Sequence, residues 1–259
     1  MVYTSSNGSF DFNEHYEITS IKGKSLPGQQ YTEEYVIGRD GPFTFLNGFS
    51  SKIITIDFVM RNSDNLVGRR TLNDTMNKIL SLPGVVVFDF DNIKSFEASV
   101  VGGSDIDYSC VYDTMSLSFK LSPIGLGVLN KDNFTWGNAA VKWGLVTNTW
   151  GDKFQYELSS PGTIEVNNAG NKISEPIIRL SGSGDVTLTL GDNSFTFTDL
   201  EDSIYIDNRM FNVYNTSLEN KRGDFSGDYL NLAIGSNEIE VSGTFSNLEI
   251  EFINKDFYI

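Results

Sequence analysis

The sequence predicts an all-β protein with one helix in its N-terminal domain, arranged as two β-sandwich domains. Three observations carry that expectation. Apolar and polar residues alternate with a period of two, as in Ile53 to Met60 and Met115 to Leu121. Twenty-four glycines, with many Asn and Asp residues, cut these runs into short pieces separated by tight turns. Apolar positions recur at helical spacing in one place, at Leu72, Met76, Ile79 and Leu80. A hydrophobic content of 39%, with 13% aromatic, is that of a folded chain.

Taken in order, Ser9 to Ile21 alternates loosely, with Phe10 and Phe12 on one side and then Tyr16 and Ile18. It predicts one or two strands leading to a turn at Pro27-Gly28. Tyr35-Val36-Ile37 and Phe43-Thr44-Phe45 flank Gly38-Arg39-Asp40-Gly41, and Asn47-Gly48 gives a second turn signal. Asp-Gly and Asn-Gly supply the positive φ that hairpin connections need, because glycine has no Cβ to clash. Ile54, Ile56, Phe58 and Met60 then share one face of a strand, with Thr55 and Asp57 on the other. Asn62, Ser63 and Asp64 offer cap oxygens ahead of the helix, and Leu82-Pro83-Gly84 stops it. Arg69, Arg70, Asp74 and Lys78 form a charged stripe that faces solvent or a partner subunit. Val85 to Phe90 is nearly all apolar, which predicts burial on both faces. Ser95 to Val101 and Tyr108 to Leu121 follow, and Pro123 with Gly125 and Gly127 closes the region.

Residues 131–151 hold all three tryptophans, Trp136, Trp143 and Trp150, each followed by glycine and spaced by seven. A glycine beside every tryptophan argues against a helical heptad. The rings are candidates for stacking on a saccharide or for packing in an interface. Beyond them come short β-rich runs bounded by Gly, Asn, Asp or Ser: Thr163 to Asn167, Pro176 to Leu180, Val186 to Leu190, Ser194 to Thr198, Ile204 to Asp207, Phe211 to Tyr214, Glu238 to Val241 and Leu248 to Phe252. Such spacing predicts a second sandwich. The expected division is therefore a domain of residues 1–130, a crossover of 131–151 and a domain of 152–259.

Charge narrows the function. The net charge is −15. Residues 1–130 carry 10 basic and 15 acidic side chains, and residues 131–259 carry 9 and 19, so the acidic excess doubles in the second half. Such a chain repels phosphate backbones and anionic lipid, and neither nucleic acid nor membrane is an expected partner. No apolar run approaches a membrane span, and MVYTSSNGSFDFN lacks a leader pattern, so a cytoplasmic site of synthesis is expected. Cys110 is the only cysteine and reads as a buried strand residue, with no zinc-like Cys/His spacing around it.

The sequence offers no catalytic constellation. His15 is the only histidine and has no nucleophile motif beside it. Phosphate-binding, HExxH and dinucleotide motifs are absent. Asp89 with Asp91, and Asp105 with Asp107, read as polar strand ends, since no loop has EF-hand spacing. Arg222-Gly223-Asp224 sits in a turn-rich stretch and reads as part of a turn. The expectation is a protein that is not an enzyme and that needs no cofactor and no metal.

Gly38-Arg39-Asp40-Gly41 after a short strand, with Gly48-Phe49 soon after and then an alternating strand, resembles the N-terminal signature of the distal tail (Dit) proteins of siphophages. Further on, NAGNKISEPIIRLS from Asn168 to Ser181, followed by Gly182-Ser183-Gly184, is similar to that family's C-terminal domain. The resemblance spans nearly the whole chain. It implies an N-terminal β domain with one helix that assembles into a hexameric ring, and a galectin-like sandwich as the second domain. It also implies Gly38, Arg39, Asp40 and Gly41 as an assembly motif. The implied place is the virion tail tip, where the ring joins the tail tube to the host-adhesion device. Its implied partners are further copies of itself, the major tail tube protein, a tail-associated lysin or fibre protein and receptor-binding proteins. From another class, the residues also fit a carbohydrate-binding module acting through Trp136, Trp143 or Trp150. A wall-degrading hydrolase is the weaker third reading.

Overall fold

The computed structural model describes residues 1–23, 27–38, 40–60, 66–103, 107–108, 113–128 and 152–259, the side chains of residues 66, 67, 107, 108 and 113 excepted. The chain divides into one unit of Met1–Gly125 with Ile259 and a second of Leu126–Tyr258. The first begins with β1 (Val2–Ser5), β2 (Gly8–Asp11), α1 (Phe12–His15), β3 (Tyr16–Lys22), β4 (Gln29–Glu34), β5 (Phe43–Phe49) and β6 (Lys52–Met60). Then come α2 (Leu66–Leu80), β7 (Gly84–Phe88), β8 (Asp91–Gly103), β9 (Asp107–Tyr108) and β10 (Asp113–Gly127), whose last residues enter the second unit. Its main sheet runs β2-β1-β7-β8-β10-β6-β3, with β9 on β10, while β4 and β5 form a two-stranded sheet of their own.

The predicted alternation sets the first core. Phe58, Ile56 and Ile54 of β6 stand directly opposite Met115, Leu117 and Phe119 of β10, and all six are buried. Helix α2 contributes Met76, Ile79 and Leu80 to the same cluster and packs over β1 and β2. The Ser5 hydroxyl donates to the Ile79 carbonyl at 2.9 Å and the Asn7 amide to the Lys78 carbonyl at 2.8 Å. These satisfy carbonyls that the helix end leaves without intrahelical donors.

Three expectations give way in this unit. A second helix, α1, interrupts the first strand pair: the Asp11 carboxylate caps it by accepting from the Asn13 N–H at 2.9 Å. That turn sets Phe12 on Phe58, with ring centroids 4.8 Å apart. β7 is buried on one face only, since Val86 and Phe88 are in the core while Val85 is 40% exposed. The strand read as ending at Leu121 runs on through Pro123, and β10 closes at Gly127.

The second unit holds β11 (Gln155–Leu158), β12 (Gly162–Asn168), β13 (Ile177–Leu190), β14 (Asn193–Leu200), β15 (Ile204–Asp207), β16 (Asn212–Asn215), β17 (Phe225–Gly227), β18 (Gly235–Ile253) and β19 (Phe257–Tyr258). β13 and β18 are long antiparallel partners. The first half of β13 also pairs β15 and its second half pairs β14. β18 pairs β12 through its first half and β11 through its last residues. Both strands bend where Gly182, Gly184, Gly243 and Asn247 take φ of +150°, +106°, +119° and +48°, and the ladder shifts register between Ser181 and Ser183. The bend turns one sheet into two facing layers, as a bulge does. Val166, Ile178, Leu188, Phe197, Ile206, Val241 and Phe252 fill the space between them. The all-β fold, with sheets curled into sandwich-like layers, is thus observed.

Candidate functional site

The Gly38–Gly41 segment sits at the end of an arm. β4 and β5 pair from Gln29 opposite Phe49 to Glu34 opposite Phe43. Tyr35, Val36 and Ile37 therefore belong to the connecting loop and not to a strand. Asn47-Gly48 is no separate turn: the ladder passes from Gln30 opposite Gly48 to Tyr31 opposite Leu46, which leaves Asn47 as a bulge inside β5. Gly38 and Gly41 adopt φ of +88° and +85°, and a Cβ at either would meet open space. Their glycines serve backbone conformation alone. Asp40 is exposed, and Arg39 lies outside the described residues.

The arm's surface is unusual for a hairpin standing by itself. Tyr31, Tyr35, Val36, Ile37, Phe43, Phe45 and Leu46 are all exposed, Ile37 fully, and none belongs to either core. A lone two-stranded hairpin is marginal in water. Exposed apolar residues gathered in this way are typical of interaction surfaces.

Trp136, Trp143, Trp150, Cys110 and Asp105 lie outside the described residues. His15 is half-exposed, 3.8 Å from the Glu14 carboxylate and with its ring against Phe10. Asp91 is engaged by Lys94 at 2.9 Å, which accounts for it as an ion-paired strand start. Arg222-Gly223-Asp224 forms a single turn of 3-10 helix. Its guanidinium lies 4.7 Å from the Phe225 ring centroid and 4.9 Å from that of Tyr229, a cation–π stack that holds Arg222 against the unit.

A second feature could not be anticipated from the sequence. Register places Gln155, Glu251, Arg179, Tyr205 and Tyr214 directly opposite one another across β11, β18, β13, β15 and β16. These strands turn Ile178, Leu180, Ile206, Ile250 and Phe252 into the core, so the row lies on the opposite, outward face. Arg179 donates through Nη1 to Glu251 Oε2 at 2.9 Å and to Glu249 Oε1 at 3.4 Å, and through Nη2 to Ser203 Oγ at 3.3 Å. The hydrogen bond to the Glu251 carboxylate outweighs burial and raises the pKa of the guanidinium further. Tyr205 and Tyr214 stack with centroids 5.4 Å apart and planes 9° from parallel. Burial, then the charges of Asp207 and Tyr205, pushes the Tyr214 hydroxyl pKa up, so the ring stays neutral. Alternation alone marks these positions as outward, but only pairing shows that they share a row.

No family model matches the chain, and no curated protein matches it. Solved structures do. The Dit protein of phage SPP1, described as a paradigm of the hub adsorption apparatus in phages that infect Gram-positive bacteria, superposes with a TM-score of 0.65. The match covers 96% of each chain at 10% sequence identity. This chain has the Dit fold. A chain of the phage P2 baseplate in its activated conformation is also similar, with a TM-score of 0.47 and 11% identity over 97% of this chain and 96% of that one. At 10% identity the likeness to SPP1 Dit is one of fold, and few individual side chains are shared.

Proposed function

We propose that this protein is a structural subunit of a phage tail tip, a distal tail protein. Its first unit would close into a ring of about six copies. The observation that carries the reading is the Dit fold over 96% of both chains, with the exposed apolar residues of the arm as a second support. In this reading the ring joins the major tail tube protein on one side. On the other it meets a tail-associated lysin or fibre protein and receptor-binding proteins, at the virion tail tip. The protein's work is mechanical, and no substrate is turned over.

A ring of identical subunits needs a heterologous contact, one surface meeting a different surface of the next copy. The arm supplies such a surface, and Gly38, Arg39, Asp40 and Gly41 are its assembly motif. Gly38 and Gly41 shape the tip, while Arg39 offers a fork of donors suited to a neighbour's carboxylate. Light scattering and native mass spectrometry over a concentration series test this. The expected result is a closed species of about six copies that Arg39→Ala weakens more than it lowers Tm. A monomer at every concentration, with glycan affinity lost on replacing Trp136, Trp143 or Trp150, would favour the carbohydrate-binding module instead.

A further inference from the structure

One face of the arm combines two aromatic rings with a lone carboxylate. In the β4–β5 ladder Thr32 stands opposite Phe45 and Glu34 opposite Phe43. Directly opposed residues share a face, and so do alternate residues of one strand, so Phe43, Phe45, Thr32 and Glu34 lie together. The two rings are exposed, with centroids 6.4 Å apart and planes 27° from parallel. Glu34 is exposed and forms no ion pair among the described residues.

The main sheet of the same unit carries the complement. A depression of about 560 Å³ opens over β7, β8 and β10, where Pro83, Val85, Ala98 and Leu121 make its lining mostly apolar. Two charged side chains also line it. Glu97 is already engaged, whereas Lys120 is exposed and forms no ion pair among the described residues. In a chain of net charge −15, an unpaired ammonium beside an apolar hollow selects a carboxylate flanked by apolar side chains. The Phe43, Phe45 and Glu34 face has that composition. It is held away from the depression of its own copy. Ser51, which lines the depression, follows closely on Phe49 at the root of the arm. A paired ladder rising about 3.3 Å per residue holds Phe43 roughly 20 Å out from Phe49, so the rings stand clear of the hollow at their own root.

We propose, resting on the ring reading, that the Phe43–Phe45 face of one copy's arm docks in this depression on the next copy, with Glu34 paired to Lys120. Arm and depression are unlike surfaces of one chain, as a heterologous contact requires. Each copy then gives its arm to one neighbour and receives the arm of the other.

Charge reversal on the full chain tests the docking, read by light scattering and native mass spectrometry. Glu34→Lys and Lys120→Glu should each weaken assembly about tenfold or more, because like charges then face each other, while Tm stays unchanged. The two variants move the net charge in opposite directions, so a general charge effect would push them apart. Mixed in equal amounts they should assemble again, since every arm then meets a depression of opposite sign. The double variant Glu34→Lys with Lys120→Glu should do the same in one chain. Phe45→Ala, which leaves both charges in place, should also weaken assembly. If the wild type assembles and the single reversals assemble as well as it does, the docking is overturned and the ring reading stands. The same holds if the reversals dissociate and neither the mixture nor the double variant recovers. A wild type that is monomeric at every concentration overturns the ring reading and the docking with it.

Discussion

Gly184 and Gly243 approach each other's strands where β13 and β18 bend. A methyl group at Gly184 would lie 2.1 Å from the Thr244 carbonyl oxygen, and one at Gly243 would lie 2.2 Å from that of Asp185. Both obstacles are backbone in the ladder that joins the two layers, and neither can retreat without breaking it. Gly184→Ala or Gly243→Ala is expected to cost roughly 2–4 kcal/mol, from the positive φ and the overlap together, read as a lower urea midpoint for the second unit. Gly191→Ala is the control: φ is +59° but the space is open, so only about 1–2 kcal/mol is at stake. Equal losses at all three would show that the bend does not depend on this close approach. The contrast explains what single residues disclose. Gly38 and Gly41 were readable as positive-φ positions because turn chemistry is local. Gly182, Gly184 and Gly243 read as breaks between short strands, because the strand that demands a glycine there comes from elsewhere in the sequence.

At the scale of elements, burial leaves a record in sequence and exposure does not. β6 and β10 were legible because buried core residues alternate along each with residues that are not buried. β4, with the sequence QQYTEE, has no buried residue and so no period to read. The apolar run Tyr35 to Ile37 looked like a strand but is an exposed loop. That mismatch, apolar residues where the fold gives them no core, is itself the mark of a surface meant for another molecule. The arm should therefore be dispensable for folding and necessary for assembly. Replacing residues 31–46 with a two-glycine link between Gln30 and Asn47, which stand one ladder step apart, removes no core side chain. The variant is expected to keep its Tm within about 2–3 °C while losing self-association in light scattering. A large drop in Tm would make the arm an internal brace and return the Gly38–Gly41 segment to an ordinary hairpin end.

Across the whole molecule, composition foretold a β-rich protein, and turn signals placed most of the second unit's strands. What pattern could not supply was pairing. Nothing near Arg179 in the sequence names Glu251 or Tyr205 as its neighbours; register does. The same long-range pairing decides whether the second unit can stand alone. Every residue of its core cluster lies between Ile164 and Phe252. Its buried charge is also matched locally: Lys255 donates to the Asn167 carbonyl and to Asp256 Oδ1 at 3.0 Å, with its ammonium 4.5 Å from the Phe154 ring centroid. Asp256 Oδ1 also accepts from the Ala169 N–H at 2.8 Å. The stretch also reaches back beyond itself: the Gly127 N–H donates to the Asp256 carbonyl at 2.8 Å, and β19 pairs β10. A fragment of residues 152–259 therefore keeps every residue of the core cluster and the buried ion pair, and loses the pairing of β19 with β10. It is expected to be soluble, β-rich by circular dichroism, monomeric and cooperative on melting. A fragment of residues 126–259 should melt a few degrees higher. If the shorter fragment is unfolded and the longer one folds, residues 126–151 complete the second core, and the tryptophans belong to that unit's packing. If both are unfolded, the two units share a single cooperative fold.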